Sequence, residues 1–164
     1  MKVFGFAGWS GSGKTTLIEQ LVPRFVRQGL SVSMIKHAHH QFDIDRPGKD
    51  SYRHRRAGCT EVMITSDVRW ALMHELRDAR EHTLEEQIAR MTPVDLLLVE
   101  GWKSQAIQKL EVYRDANGKL LLYPGDRHII GIASDVPVQT GLPRFGIGDC
   151  DRIAQFVLES TGLK

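Results

Sequence analysis

Val3-Phe4-Gly5-Phe6-Ala7 is an unbroken apolar run of strand length, the pattern of a strand buried on both faces. A Gly-rich turn follows. From Lys14 the residues Leu17, Ile18, Leu21, Val22, Phe25 and Val26 recur at helical spacing and form one core-facing stripe. Pro23 removes a backbone donor inside this helix, so a kink or an early end is expected there, and Gly29 is the expected stop. Leu30 to Ile35 reads as a second strand, completing a parallel strand–helix–strand unit. Residues 36–48 are polar and turn-rich, a long functional loop. A basic helix over Asp50–Ala57, closed by Gly58, precedes strands at Glu61–Thr65 and Trp70–Glu75 and a helix from Leu84 to Met91. Asp95-Leu96-Leu97-Leu98-Val99 is the clearest buried strand of the chain.

After Gly101 the pattern changes. Lys109–Arg114 and Lys119–Tyr123 flank Asn117-Gly118, a strong hairpin signal that predicts an antiparallel pair at one sheet edge. Ile129–Ala133 reads as another buried strand, and Ile153–Leu158 lies in a C-terminal helix ended by Gly162. This order predicts an α/β three-layer fold, a mostly parallel sheet with an antiparallel edge hairpin. No repeat or linker divides the chain, so residues 1–164 are expected to form a single domain.

Composition narrows the function classes. A length of 164 residues, 41% hydrophobic and 26% charged, suits a globular core without disulfides or metals. A net charge of +2 gives no argument for nucleic-acid binding, and no apolar run approaches the roughly 18 residues of a membrane span. Cys59 and Cys150 stand far apart and read as reduced thiols, so a cytoplasmic location is expected.

The chemistry concentrates at the first turn. Gly8-Trp9-Ser10-Gly11-Ser12-Gly13-Lys14-Thr15 satisfies GxxxxGK[ST] between a strand and a helix. Glycines permit backbone angles that turn successive N–H groups around an anion, and the helix start adds its unsatisfied amides. A nucleoside triphosphate is therefore expected along Gly8 to Thr15, with Thr16 included. Lys14 would meet the β and γ phosphates and the Thr15 hydroxyl would ligate Mg²⁺. Glu100 ends four apolar residues where ligands sit in open parallel sheets, and reads as the acidic partner of metal or water. Its alternatives are a loop cap or a pair with Lys103. Lys36 leaves a neighbouring strand tip. Asp43, Asp45 and Asp50 are candidates for a metal-linked contact, Asp50 preferred; Asp95 is expected to be a surface or turn residue.

His37-Ala38-His39-His40 lacks a cysteine and makes a poor preformed tetrahedral metal site, so phosphate, partner or solvent contact is expected. Lys49, Arg53 and Arg56 share one helical face, with Arg46 and Arg55 close in sequence. They read either as a phosphate-holding patch, through Arg53 above all, or as a solvated face.

Beyond the phosphate loop, Lys36-His37-Ala38-His39-His40, Asp45 with Pro47-Gly48-Lys49-Asp50-Ser51-Tyr52-Arg53, Ala57-Gly58, and Val99-Glu100-Gly101-Trp102-Lys103 resemble the molybdopterin-guanine dinucleotide biosynthesis adaptor proteins over essentially the whole chain. Cys59 is a mild departure. The resemblance implies a homodimeric P-loop protein that binds GTP with Mg²⁺ and hydrolyses it weakly at most. It also implies a partner, the molybdenum cofactor guanylyltransferase, and a ligand, molybdopterin or its guanine dinucleotide. An edge hairpin at Asn117-Gly118 would be a natural place for subunit pairing. No NKxD element is present; Asp135, after a late strand, either reads the base or starts the turn before Val136-Pro137. Two other readings remain. An ATP-dependent small-molecule kinase or ligase similar to dethiobiotin synthetase would prefer ATP, and a metallocentre-assembly GTPase would bind nickel or zinc.

Overall fold

The computed structural model describes residues 1–38 and 42–163, so His39 and His40 lie outside the described residues. The chain forms two compact units, Met1–His37 with Met91–Lys164, and Ala38–Arg90.

The first unit is built on six parallel strands in the order β2 (Val32–Lys36), β5 (Leu96–Glu100), β1 (Lys2–Ala7), β6 (Lys109–Tyr113), β7 (Ile129–Ser134) and β8 (Arg144–Gly146). β1 and β2 do not touch; β5 pairs between them, so the strand–helix–strand unit is split by a later strand. Helices α1 (Lys14–Arg27) and α4 (Cys150–Thr161) pack on one face over Phe4, Phe6, Leu98, Leu110 and Val112. The α1 stripe supplies Leu17, Ile18, Leu21 and Phe25, all buried. Pro23 does not end α1, which continues to Arg27. Only the hydrogen bond of the missing N–H is lost, and the apolar stripe packs on both sides of it.

The opposite face of β6 carries Lys109 and Glu111, buried although charged. Lys109 Nζ donates to the carbonyls of Lys103 and Gln105 at 2.6 and 2.8 Å and to Asp126 at 2.5 Å. Glu111 accepts the N–H groups of Leu122 and Tyr123 at 2.7 and 2.9 Å. These alternating polar residues imitate a half-exposed edge strand, which explains the hairpin reading. The structure corrects it: β6 lies between β1 and β7, and Lys119–Tyr123 contains no strand. Asn117-Gly118 instead closes a short 3-10 turn, Asp115–Asn117, with Gly118 in the left-handed region that an Asn-Gly turn also requires.

The antiparallel pair belongs to the second unit, where β3 (Glu61–Thr65) and β4 (Trp70–His74) form their own two-stranded sheet beside α2 (Asp50–Ala57) and α3 (Leu84–Ile88). Thr83 and Glu86 close a capping box on α3. Arg55 gathers this unit's acids, reaching Asp43 at 2.6 Å, Asp45 at 2.7 Å and Glu75 at 3.0 Å. Among the described residues no helix is long and apolar enough to cross a membrane.

Candidate functional site

Parallel pairing sets the site. The register aligns Lys36 with Glu100 and Glu100 with Phe6, so three strand tips end level, one residue before Ala7 leads into the glycine turn. Gly8, Gly11 and Gly13 all hold positive φ, at 143°, 78° and 93°. At Gly8 a Cβ would stand 2.4 Å from the Val112 carbonyl oxygen, so no larger residue fits where the turn leaves the sheet. Gly13 caps α1 without a side-chain bond, leaving the first-turn amides to the turn itself.

Lys14 Nζ arches back to the carbonyls of Gly8 and Trp9 at 3.0 and 2.9 Å. Burial lowers its pKa first, Glu100 raises it, and the neighbouring charges of Lys103 and Lys36 lower it again. Thr15 Oγ1 donates to Glu100 Oε1 at 3.0 Å and accepts from Lys36 Nζ at 3.3 Å. Lys36 also stands 3.6 Å from Glu100 Oε2, and the Glu100 side chain is only 7% exposed. Thr16 is exposed on the next position of the helix. Ser12 Oγ is buried without a hydrogen-bond partner. Such a hydroxyl is an anomaly unless the turn closes on something polar. A hydroxyl and a carboxylate side by side are hard oxygen donors suited to Mg²⁺, and the amide-rich turn suits phosphate. The residues present therefore fit both groups.

Glu100 pairs with Lys36 and Thr15, whereas Lys103 lies over the Trp9 ring at 4.3 Å. His37 packs on Trp102 with ring centroids 4.8 Å apart. Asp95 accepts from Ser31 N and Oγ at 2.8 and 2.6 Å, tying the start of β5 to the residue before β2. Asp50 and Arg53 stand on α2 in the other unit, their charged groups 3.8 Å apart and mostly exposed. Asp135 is exposed at the tip of β7, on the rim of a hollow of about 400 Å³ that also takes in Ser134, Val136, Arg144, Phe145 and Gly146.

Sequence reasoning missed Arg114 and Asn117, whose side chains lie against the glycine turn. The signal was only positional: Arg114 directly follows β6 at the same end of the parallel sheet at which Glu100 ends β5, but the charged Lys109 and Glu111 hid that strand's burial.

Three comparisons bear on what the turn serves. A family model described as "Molybdopterin guanine dinucleotide synthesis protein B" matches residues 3–135. The chain is 42% identical over 163 residues to the "Molybdopterin-guanine dinucleotide biosynthesis adapter protein" of Escherichia coli (strain K12), covering 96% of this chain and 91% of that protein. The protein of the same description from Haemophilus influenzae is 37% identical over 156 residues, covering 94% and 86%. A crystal structure of molybdopterin-guanine biosynthesis protein B superposes with a TM-score of 0.76 at 24% identity, over 96% of this chain and 99% of that one. That likeness places the chain in the P-loop NTPase fold.

Proposed function

Because the chain belongs to the molybdopterin guanine dinucleotide synthesis protein B family, we propose that it is a GTP-binding adaptor in molybdenum cofactor biosynthesis, assisting the guanylyltransferase of that pathway. The observation that carries the nucleotide part is the hydrogen-bonded cluster of Thr15, Lys36 and Glu100 beside an amide-rich turn whose Ser12 hydroxyl is buried unpaired. In this reading Gly8 to Thr16 hold the phosphates, with Lys14 and Lys36 neutralising them. Thr15 and Glu100 would hold Mg²⁺, which when bound spreads phosphate charge and fixes the chain of phosphates. Glu100 is engaged by Thr15 and Lys36, which suits holding better than activating water, so hydrolysis is weak.

Asp135 would read guanine from the rim of the β7–β8 hollow. Its Oδ1 accepts from Asp115 N at 3.1 Å, leaving the base to the other oxygen. Arg46, Lys49, Arg53 and Arg56 offer positive charge to the phosphate of molybdopterin or its guanine dinucleotide, or to the partner enzyme. A homodimer is supported by the β3–β4 pair rather than by Asn117-Gly118. Met63, Trp70 and Leu72 are 60%, 66% and 43% exposed on one face, and a two-stranded sheet is marginal alone. Trp70→Glu is then expected to convert a dimer to monomers in light scattering.

Calorimetric titration with GTP and with ATP, both in Mg²⁺, tests the whole reading. GTP preference lost in Lys14→Ala is the expected result. ATP preference would move the protein to phosphoryl transfer, and binding of neither would end the nucleotide reading. Asp135→Asn is expected to relax the preference for GTP over xanthosine triphosphate; unchanged selectivity would remove Asp135 as base reader.

A further inference from the structure

The chain between Arg114 and Leu120 runs along the phosphate turn and is tied to it three times. Arg114 Nε donates to the Ser12 carbonyl at 3.3 Å, and Asn117 Nδ2 donates to the Ser10 carbonyl at 3.3 Å. In the reverse direction Trp9 Nε1 donates to the Leu120 carbonyl at 2.8 Å. The approach is close because the turn has no side chains there. A Cβ on Gly13 would stand 3.2 Å from Arg114 Nε, and one on Gly11 would stand 3.4 Å from Asn117 Oδ1. The segment is itself held, by the 3-10 turn bonds Asn117 N to Arg114 O at 3.1 Å and Gly118 N to Asp115 O at 2.9 Å.

These ties act on the amides through peptide geometry. In a planar trans peptide the C=O of one residue and the N–H of the next point in opposite directions. Holding the Ser12 carbonyl therefore aims the Gly13 N–H away from the segment, and holding the Ser10 carbonyl does the same for Gly11. Lys14 Nζ holds the Gly8 and Trp9 carbonyls in the same manner. Glycines between these positions would otherwise let the peptides flip, since they favour no single region. We propose that Arg114 and Asn117 are positioning residues that lock the turn's amides in the anion-binding orientation before the ligand arrives. The proposal rests on the phosphate-site reading above. It assigns the cost of ordering a Gly-rich loop to the fold rather than to binding.

The test titrates the full chain with magnesium tripolyphosphate, which reports the turn alone, and with GTP. Arg114→Ala and Asn117→Ala are expected to weaken both by a similar factor, about tenfold for the guanidinium bond and less for the amide. Arg114→Lys, which keeps a donor, is expected to recover part of the loss. Exchange broadening of the Gly11 and Gly13 amide resonances in the unliganded protein, which reports microsecond-to-millisecond peptide motion, is expected to grow in both alanine variants, with little change elsewhere. A purely structural role would not single out those two amides. Wild-type-like binding and exchange in both variants would overturn the proposal while leaving the phosphate site standing. Failure of the wild-type protein to bind either anion would overturn the phosphate-site reading, and the proposal with it.

Discussion

Lys109→Met separates a buried charge that holds the structure from one that is merely tolerated. Methionine keeps most of the stem but deletes three donors and the charge from a side chain that is 1% exposed. Removing one partner of a buried ion pair costs about 3–5 kcal/mol. The surroundings soften the loss here. Asp126 is 21% exposed and its other oxygen keeps the His128 N–H at 2.9 Å, so its carboxylate is not stranded. The Lys103 and Gln105 carbonyls lie on a partly exposed segment that can turn to water. The low end, about 3 kcal/mol, is therefore expected, a fall of roughly 6–12 °C in Tm for a chain of this length. Urea and thermal unfolding would measure it. A pH series adds a signature. Burial pushes the Asp126 carboxyl up, but the Lys109 ammonium and the His128 N–H outweigh it and hold the pKa below the ordinary value. The stabilisation is then full above the unfolded aspartate value of about 3.9 and lost as pH falls through the folded one. Lys109→Met should flatten that acid limb, and adding Asp126→Asn should restore part of the stability. A loss below about 1 kcal/mol with an unchanged acid limb would refute the reasoning, since that is the worth of one ordinary neutral hydrogen bond.

Gly8→Ala is expected to cost about 2 kcal/mol or more, because its φ of 143° is strained for alanine and the new Cβ meets the Val112 oxygen at 2.4 Å. Gly29→Ala, also at positive φ (84°) but with nothing within 4 Å, should cost only about 1 kcal/mol; equal losses in urea unfolding would dismiss the steric account. Burial raises the Glu111 pKa against the lowering pull of the Leu122 and Tyr123 N–H groups. Stability from Glu111 should thus decline as pH rises from the unfolded value of about 4.3 through the folded one, a slope that Glu111→Gln abolishes while costing about 1–3 kcal/mol for a mispaired N–H. Glu86 is held at about 2 by Arg80 first and the Thr83 N–H second. Its support of α3 should be full above the unfolded glutamate value of about 4.3 and be lost as pH falls from there through the folded one, and an NMR titration finding an ordinary glutamate pKa would contradict the capping geometry.

Local chemistry made much of this protein readable in one dimension. The α1 stripe, the α2 span with its Gly58 stop, the buried β5 run and the glycine turn before α1 each depend on neighbours within a few residues, and their periodicity and glycine positions state them directly. So does Glu100 as a strand-tip acid, because four apolar residues ending in a carboxylate have few other places to go. Pairing is a different matter. That β5 inserts between β1 and β2, and so brings Lys36 to Glu100 and Thr15, depends on contacts between residues sixty or more positions apart. The same limit governs β6. Lys109 and Glu111 look solvent-facing in sequence, and only distant loop groups make their burial affordable. Asn117-Gly118 shows the point at its sharpest: the left-handed glycine the dipeptide announces is there, but whether it turns a hairpin or lies against the glycine turn depends on what the fold puts beside it. Backbone preference is a property of neighbouring residues, whereas the partner of a polar group is a property of the folded chain.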